Sequence, residues 1–89
     1  MYGNEIADVL RHVQSILSYQ LCVPLDVVAA SATLEEDLQM DRLDFAEACI
    51  ALEEAFDVEI DEMREFQTVL DLAAYVSRRV LRSTYAHTH

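Results

Sequence analysis

The side chains that could perform covalent chemistry are few in this sequence and stand far apart. His12 falls in an apolar-periodic stretch, whereas His87 and His89 lie among the last three of the 89 residues. Nucleophilic catalysis needs a nucleophile, a base and an orienting group within reach of one another. No stretch of the sequence holds all three, so we predict that the chain is not an enzyme.

Two cysteines and one acidic run are the other candidates for chemistry. Cys22 and Cys49 form neither a CxxC pair nor a disulfide framework, which predicts two reduced, partly buried thiols. The run that starts at Asp57 alternates acidic and apolar residues like a calcium loop. An EF-hand needs glycine at its sixth position and glutamate at its twelfth, where this chain has Glu62 and Thr68. We therefore predict no metal site.

Carboxylates dominate the middle of the chain. Thirteen Asp and Glu and two Arg lie between Glu35 and Glu65, and this difference equals the net charge of −11. Such a charge repels phosphate backbones and anionic lipids, which predicts neither a nucleic-acid nor a membrane partner. It favours a protein partner with a basic patch. The predicted docking residues are Asp44, Glu47, Glu53, Glu54 and Asp57.

The N-terminal residues and the lengths of the apolar runs indicate where the protein is located. Charged residues at Glu5, Asp8 and Arg11 interrupt the first apolar pattern, unlike the uncharged core of a signal peptide. No apolar run approaches the length of a membrane span. These features predict a cytoplasmic location, and we expect a monomer.

The elements that position these residues are predicted to be helices. One glycine and one proline in the whole chain leave little material for hairpins. The first helix is predicted from about Glu5 to Leu21 with Asn4 as its N-cap, followed by a long connection to about Met40. A β-strand over 23–28 is the alternative in that connection.

Capping signals predict the later helices. Asp41 is expected to cap the second helix by accepting the backbone N–H of Asp44, and this helix should end near Phe56. A short third helix is predicted from Met63 to Phe66. Thr68, with Asp71 three residues later, is expected to cap the last helix. We predict a single domain over 1–89, with an ordered core of about 5–82 and a frayed tail over 83–89.

The apolar stripes of these helices predict one core, and truncating a member such as Ile50 to Ala should cost about 2 to 5 kcal/mol. The predicted core residues are Ile6, Val9, Leu10, Val13, Ile16, Leu17, Leu38, Leu43, Ala46, Ile50, Phe56, Ile60, Val69, Leu72, Val76 and Val80.

The order of elements and several short motifs resemble the acyl carrier protein family over about Ile6 to Val80. The similar segments are Glu36-Asp37-Leu38, Asp41, Leu43-Asp44, Glu47, Ala51-Leu52-Glu53-Glu54, Phe56-Asp57, Glu59-Ile60 and Thr68-Val69. The resemblance implies an all-α four-helix bundle with a long loop between helices one and two and a short third helix. It also implies an acidic second helix that docks on partner enzymes.

One residue departs from the family pattern at the attachment motif. Where family members read Asp-Ser-Leu, with 4′-phosphopantetheine on the serine, this chain reads Asp41-Arg42-Leu43. A guanidinium is not an oxygen nucleophile, so the cofactor is predicted to be absent. Arg42 is expected either to neutralise Asp37, Asp41 or Asp44, or to replace the phosphate at a docking surface.

Two functional hypotheses follow from this departure. The first is a carrier-like binding module that docks through the acidic second helix without the prosthetic group. The alternative is an ordinary acyl carrier protein of fatty-acid, lipid or polyketide biosynthesis, with a variant attachment or an artificial change at position 42.

Overall fold

Three α-helices form the protein in its computed structural model, which describes residues 6–61 and 63–86 and, for residues 81–86, the backbone only. The helices are α1 (Ile6–Leu21), α2 (Arg42–Phe56) and α3 (Val69–Ala86), and α1 packs against both of the others. The described residues contain no strand, only one isolated bridge between Thr33 and Thr68. The all-α class is confirmed. The predicted Asn4 cap and the start at Glu5 lie outside the described residues.

The core lies where the buried stripes of α2 and α3 meet that of α1. Residues four apart in α1 are buried because they share a face of the helix. The long connection covers the core with further aliphatic side chains, including Val28, Leu34 and Leu38. The buried helix residues include Val9, Val13, Leu17, Ala48, Cys49, Leu52, Val69, Leu72 and Val76.

Three predicted core residues are exposed instead. Ile6, Leu43 and Ile50 are 44%, 66% and 52% exposed. The second helix has large apolar residues on two sides, and the prediction counted Leu43 and Ile50, on the side away from the core, as core residues. At about 100° per residue, Leu43 and Ile50 lie roughly opposite the fully buried Leu52. The predicted cost of truncating Ile50 therefore does not apply.

Side chains of α1 anchor the long connection. The Gln14 amide donates to the Val28 carbonyl at 2.8 Å, and the Ser18 hydroxyl donates to the Val23 carbonyl at 2.6 Å. Between these anchors the chain forms a 3-10 helix at Leu25–Val27, not a strand. The alternative of a strand over 23–28 is therefore wrong.

Backbone hydrogen bonds tie the end of the connection to the start of α3. The Leu34 N–H donates to the Gln67 carbonyl at 2.9 Å, and the Val69 N–H donates to the Ala32 carbonyl at 3.0 Å. This pairing holds the chain at residues 32–34, and the Met40 N–H donates to the Leu34 carbonyl at 2.9 Å, which links the start of α2 to the same anchor.

The segment between α2 and α3 is not the predicted short helix. The Arg64 N–H reaches the Asp61 carbonyl at 3.1 Å in a turn, and the described residues up to Phe66 do not continue it. Side chains take the backbone donors instead, since the Met63 N–H donates to the Asp61 carboxylate at 3.0 Å. Competition of this kind is why aspartate favours turns over helix interiors.

The last helix begins as predicted. The Asp71 N–H donates to the Thr68 hydroxyl, and the Thr68 N–H donates to the Asp71 carboxylate, both at 3.1 Å. α3 continues to Ala86, and residues 87–89 lie outside the described residues, so the frayed tail over 83–89 stays a prediction. The predicted single domain over 1–89 stays a prediction.

Candidate functional site

The first turn of α2 is held by two carboxylates. The Asp44 N–H donates to the Asp41 carboxylate at 2.8 Å, which confirms the predicted cap. In return, the Asp41 N–H donates to the Asp44 carboxylate at 3.2 Å. This reciprocal capping box satisfies two backbone donors and fixes where the helix starts. The sequence prediction missed the second bond, although the spacing of the two aspartates could have indicated it.

Arg42 follows this cap as the first residue of α2, and its side chain is exposed. Among the described residues the only ion pair is Arg11 with Asp8, so the predicted pairing of Arg42 with Asp37, Asp41 or Asp44 is absent there. Asp37 is engaged elsewhere, since its carboxylate accepts the Thr33 N–H at 2.9 Å. Arg42 therefore presents a guanidinium to solvent at the helix start.

One solvent-facing stripe of α2, which we call the α2 face, combines Leu43, Glu47, Ile50 and Glu54. Steps of four, three and four residues place these side chains within an arc of about 60°. Leu43 and Ile50 are the exposed large aliphatic residues of this helix, and Glu47 and Glu54 are exposed beside them. The α2 face thus alternates large aliphatic and negatively charged side chains.

The five predicted docking acids do not share one environment. Glu47 and Glu54 are exposed and belong to the α2 face. Asp44 is half-buried in the capping box, and the half-buried Glu53 accepts the Ile60 N–H at 2.8 Å. Asp57 is exposed at the end of α2 in a left-handed conformation with φ of 57°. Two of the five acids, Asp44 and Glu53, therefore accept backbone hydrogen bonds within the chain. The sequence prediction missed Leu43 and Ile50 as docking residues because it assigned them to the core.

Comparisons with known proteins match nearly the whole described chain. The sequence model of the family described as "Phosphopantetheine attachment site" matches residues 11–76. The acyl carrier protein of Akkermansia muciniphila is 43% identical over 80 residues, which is 88% of this chain and 96% of that protein. This chain belongs to the acyl carrier protein family.

Two further family members support this assignment. The acyl carrier protein of Thermosynechococcus vestitus is 37% identical, covering 83% of this chain and 94% of that protein. The acyl carrier protein of Bdellovibrio bacteriovorus is 39% identical, covering 75% of this chain and 88% of that protein. Family members are carriers, so the prediction that the chain is not an enzyme is confirmed. His12, the histidine of α1, has its ring edge-on to Phe56 at 5.2 Å between centroids.

The comparisons correct the prediction that the cofactor is absent. The matched family is defined by phosphopantetheine attachment, and its acyl carrier members point to 4′-phosphopantetheine. The hypothesis of a module without this group was drawn from the residue at position 42 alone, and it is withdrawn. When bound, the group supplies the thiol that carries an acyl chain as a thioester.

The first turn of α2 nevertheless does not fit the group's phosphodiester. Attachment needs a side-chain hydroxyl, and α2 contains no serine or threonine. The Arg42 guanidinium is exposed at the position that the resemblance assigns to the attachment residue. The attachment residue is therefore unassigned, and no step is derived through the group.

None of the helices in the described residues combines the length and the apolar character needed to cross a bilayer. The same residues contain no group of three or more His, Cys, Asp or Glu side chains arranged to hold a metal ion.

Proposed function

We propose that this acyl carrier module docks on its partner enzymes through the α2 face, against a basic patch that surrounds an apolar depression. The observation that carries the proposal is the alternation of exposed aliphatic and acidic side chains along one stripe of α2. Single exposed hydrophobic residues are common on protein surfaces. Here two large ones share a single helix face with two exposed acids, which supports an interaction site of mixed apolar and charged character.

The two kinds of side chain would do different work at such an interface. Glu47 and Glu54 would steer a basic partner and raise the association rate, because charges at a rim act mainly on the encounter. Leu43 and Ile50 would contribute contact area in the centre, where an interface is most apolar. The capping box at Asp41 and Asp44 holds the helix start that carries Leu43.

The acids that make internal hydrogen bonds have a supporting role in this proposal. The Glu53 carboxylate holds the Ile60 N–H, which places the chain that leaves α2. Asp57 extends the negative border at the far end of the helix. We further propose that the carrier is a cytoplasmic monomer, in keeping with Cys22 and Cys49, which form no disulfide.

The test uses a phosphopantetheinyl transferase, since this class of enzyme must recognise any carrier of the group. The variant Glu47→Arg/Glu54→Arg changes the net charge by +4, and Glu35→Arg/Glu36→Arg changes it equally at exposed acids outside α2. At low ionic strength, we expect the α2 variant to associate roughly 10-fold more slowly and with a weaker salt dependence. The control should lose much less.

Two results would overturn the proposed docking face. Equal slowing by both variants would mean that only the overall charge matters, and unchanged association of the α2 variant would place the interface elsewhere. Ile50→Ala separates the apolar contribution, since it should speed dissociation with little effect on the association rate.

A further inference from the structure

The helices α2 and α3 have little direct contact with each other. Within the described residues, α1 packs against both of them, whereas the backbones of α2 and α3 scarcely approach each other. Helices that pack directly lie about 8 to 10 Å apart, with the side chains of one helix between those of the other. The spacing of α2 and α3 therefore depends on α1 and on any side chain that lies between the two helices.

Phe66 is such a side chain, and it belongs to neither helix. Its ring lies 6.0 Å from the ring of Phe45 on α2 and 5.1 Å from the ring of Tyr75 on α3, measured between centroids. Both distances fall within the range of favourable aromatic pairs, about 4.5 to 7 Å. Phe66 is half-buried and packs against the core. One side chain of the connection between α2 and α3 thus contacts both helices.

The Tyr75 ring, on the α3 side of Phe66, is held firmly. Tyr75 is buried, and its hydroxyl accepts two N–H groups of Arg79 at 3.0 and 3.2 Å. The same hydroxyl accepts the backbone N–H of Asp61 at 3.1 Å. These bonds fix the Tyr75 ring to α3 and to the chain that leaves α2.

The backbone next to Phe66 is fixed as well. The Gln67 N–H donates to the Asp71 carboxylate at 3.3 Å, and the Gln67 carbonyl accepts the Leu34 N–H at 2.9 Å. These two bonds tie the residue after Phe66 to the first turn of α3 and to the long connection. Because the backbone beside it is held on two sides, the Phe66 ring has a fixed base.

Two residues with left-handed backbone angles flank α2. Gln39 and Asp57, on either side of Arg42–Phe56, have φ of 55° and 57°. Hinges are formed by a few residues at the ends of elements, which absorb the change in backbone angles. Changes confined to these two positions would let α2 turn on α1 without distorting either helix.

From these contacts we infer that Phe66 acts as a wedge that sets the spacing of α2 and α3, and that α2 is a hinged helix on α1. When the ring is removed, α2 moves toward α3, because the surroundings of a lost core side chain relax partly into the void. The α2 face moves with its helix, so the wedge also sets the orientation in which that face is presented. The inference rests on contacts inside the chain and does not depend on the proposed docking.

The test measures distances between spin-labelled cysteines by pulsed electron paramagnetic resonance. Cys22 is exposed and would also be labelled, so every variant carries Cys22→Ser. Labels at Ala55→Cys on α2 and Arg78→Cys on α3 report the spacing of these two helices. Labels at Ser15→Cys on α1 and Arg78→Cys report the remainder of the fold. All three labelled positions are exposed.

Phe66→Ala should shorten the α2–α3 distance by about 1 to 2 Å, the scale of helix shifts in conformational switches, and broaden its distribution. The α1–α3 distance should stay unchanged. Val58→Ala is the matched control, because Val58 is a partly buried residue of the same connection and is not one of the three rings. This control should leave both distances unchanged.

An unchanged α2–α3 distance in folded Phe66→Ala would overturn the wedge. Equal shifts in Val58→Ala, or an equal change in the α1–α3 distance, would mean that only general packing was lost, and would overturn it too. If Phe66→Ala does not fold, Phe66→Val decides the question, because it removes less volume. This variant should give a smaller shift in the same direction, and an unchanged α2–α3 distance there would also contradict the inference.

Discussion

The chain keeps the fold of its family, but Arg42 lacks the hydroxyl that attachment of the prosthetic group needs. It is the first residue of α2, beside the positive end of the helix dipole, and no described carboxylate pairs with it. We expect Arg42→Ser to raise the free energy of unfolding slightly, by less than about 1 kcal/mol because the side chain is exposed. Chemical denaturation of both proteins measures this difference. A clear loss of stability would show that the guanidinium makes a stabilising contact.

The same substitution tests recognition of the attachment position. Arg42→Ser places a hydroxyl directly after the capping residue Asp41, where the family resemblance expects the attachment residue. After incubation with coenzyme A and a phosphopantetheinyl transferase, peptide mapping by mass spectrometry should find the group on residue 42 of this variant. Arg42→Ala lacks a hydroxyl and serves as the control. A variant with serine that remains unmodified at residue 42 would show that the surrounding surface no longer fits the transferase.

At the scale of the helix, the large apolar residues on the two sides of α2 should differ sharply in their contribution to stability. Leu52 is fully buried, so Leu52→Ala should lower the free energy of unfolding by about 2 to 5 kcal/mol. Ile50 is 52% exposed, so Ile50→Ala should change it by about 0.5 kcal/mol or less. Urea denaturation of the two variants provides the measurement. Similar losses for both would mean that α2 is rotated from the orientation described.

The adjacent glutamates Glu53 and Glu54 of α2 are predicted to have different roles, the first in stability and the second in docking. Glu53 accepts the Ile60 N–H at 2.8 Å and is half-buried, so Glu53→Ala should cost about 1 kcal/mol. Glu54 is exposed on the α2 face, and Glu54→Ala should leave thermal stability nearly unchanged while slowing association with a transferase. The opposite pattern of stability losses would contradict both assignments.

Helix caps, which depend on residues close together in sequence, could be predicted from the sequence. The orientation of α2, which depends on packing against distant residues, could not. The Asp41 cap and the Thr68 box depend on residues three apart, so the sequence was sufficient to predict them. Which side of α2 faces the core depends on side chains of α1 and of the long connection, which cover only one of the two. For the same reason Leu43 and Ile50 were assigned to the core and missed as candidate docking residues.

The prediction of a short helix in the segment before α3 was wrong for a related reason. Its backbone donors are taken by groups that local spacing does not reveal, such as the Tyr75 hydroxyl, which accepts the Asp61 N–H from fourteen residues away. Local spacing likewise does not reveal that Arg79 of α3 and Arg64 of the preceding turn both lie 5.2 Å from the centre of the Tyr75 ring.

For the whole molecule, we predict that the uneven distribution of charge limits the free energy of unfolding. The net charge of −11 comes from residues 35 to 65, a segment that includes all of α2, and one ion pair is found among the described residues. Closely spaced carboxylates repel one another more strongly in the folded chain than in the expanded unfolded chain. Screening by salt weakens this repulsion, since the Debye length falls from about 30 Å at 0.01 M to about 10 Å at 0.1 M. Added salt should therefore raise the melting temperature.

A charge-reduced variant provides the matched control for this last prediction. Glu35 and Glu36 are exposed, and changing both to Gln takes the net charge from −11 to −9 while keeping the shape of each side chain. At low salt this variant should melt at a higher temperature than the unmodified chain, and its melting temperature should rise less as salt is added. Scanning calorimetry over a series of sodium chloride concentrations measures both effects. If the two proteins respond equally to salt, general ion effects on hydrophobic burial account for the increase, and repulsion within residues 35 to 65 does not limit the fold.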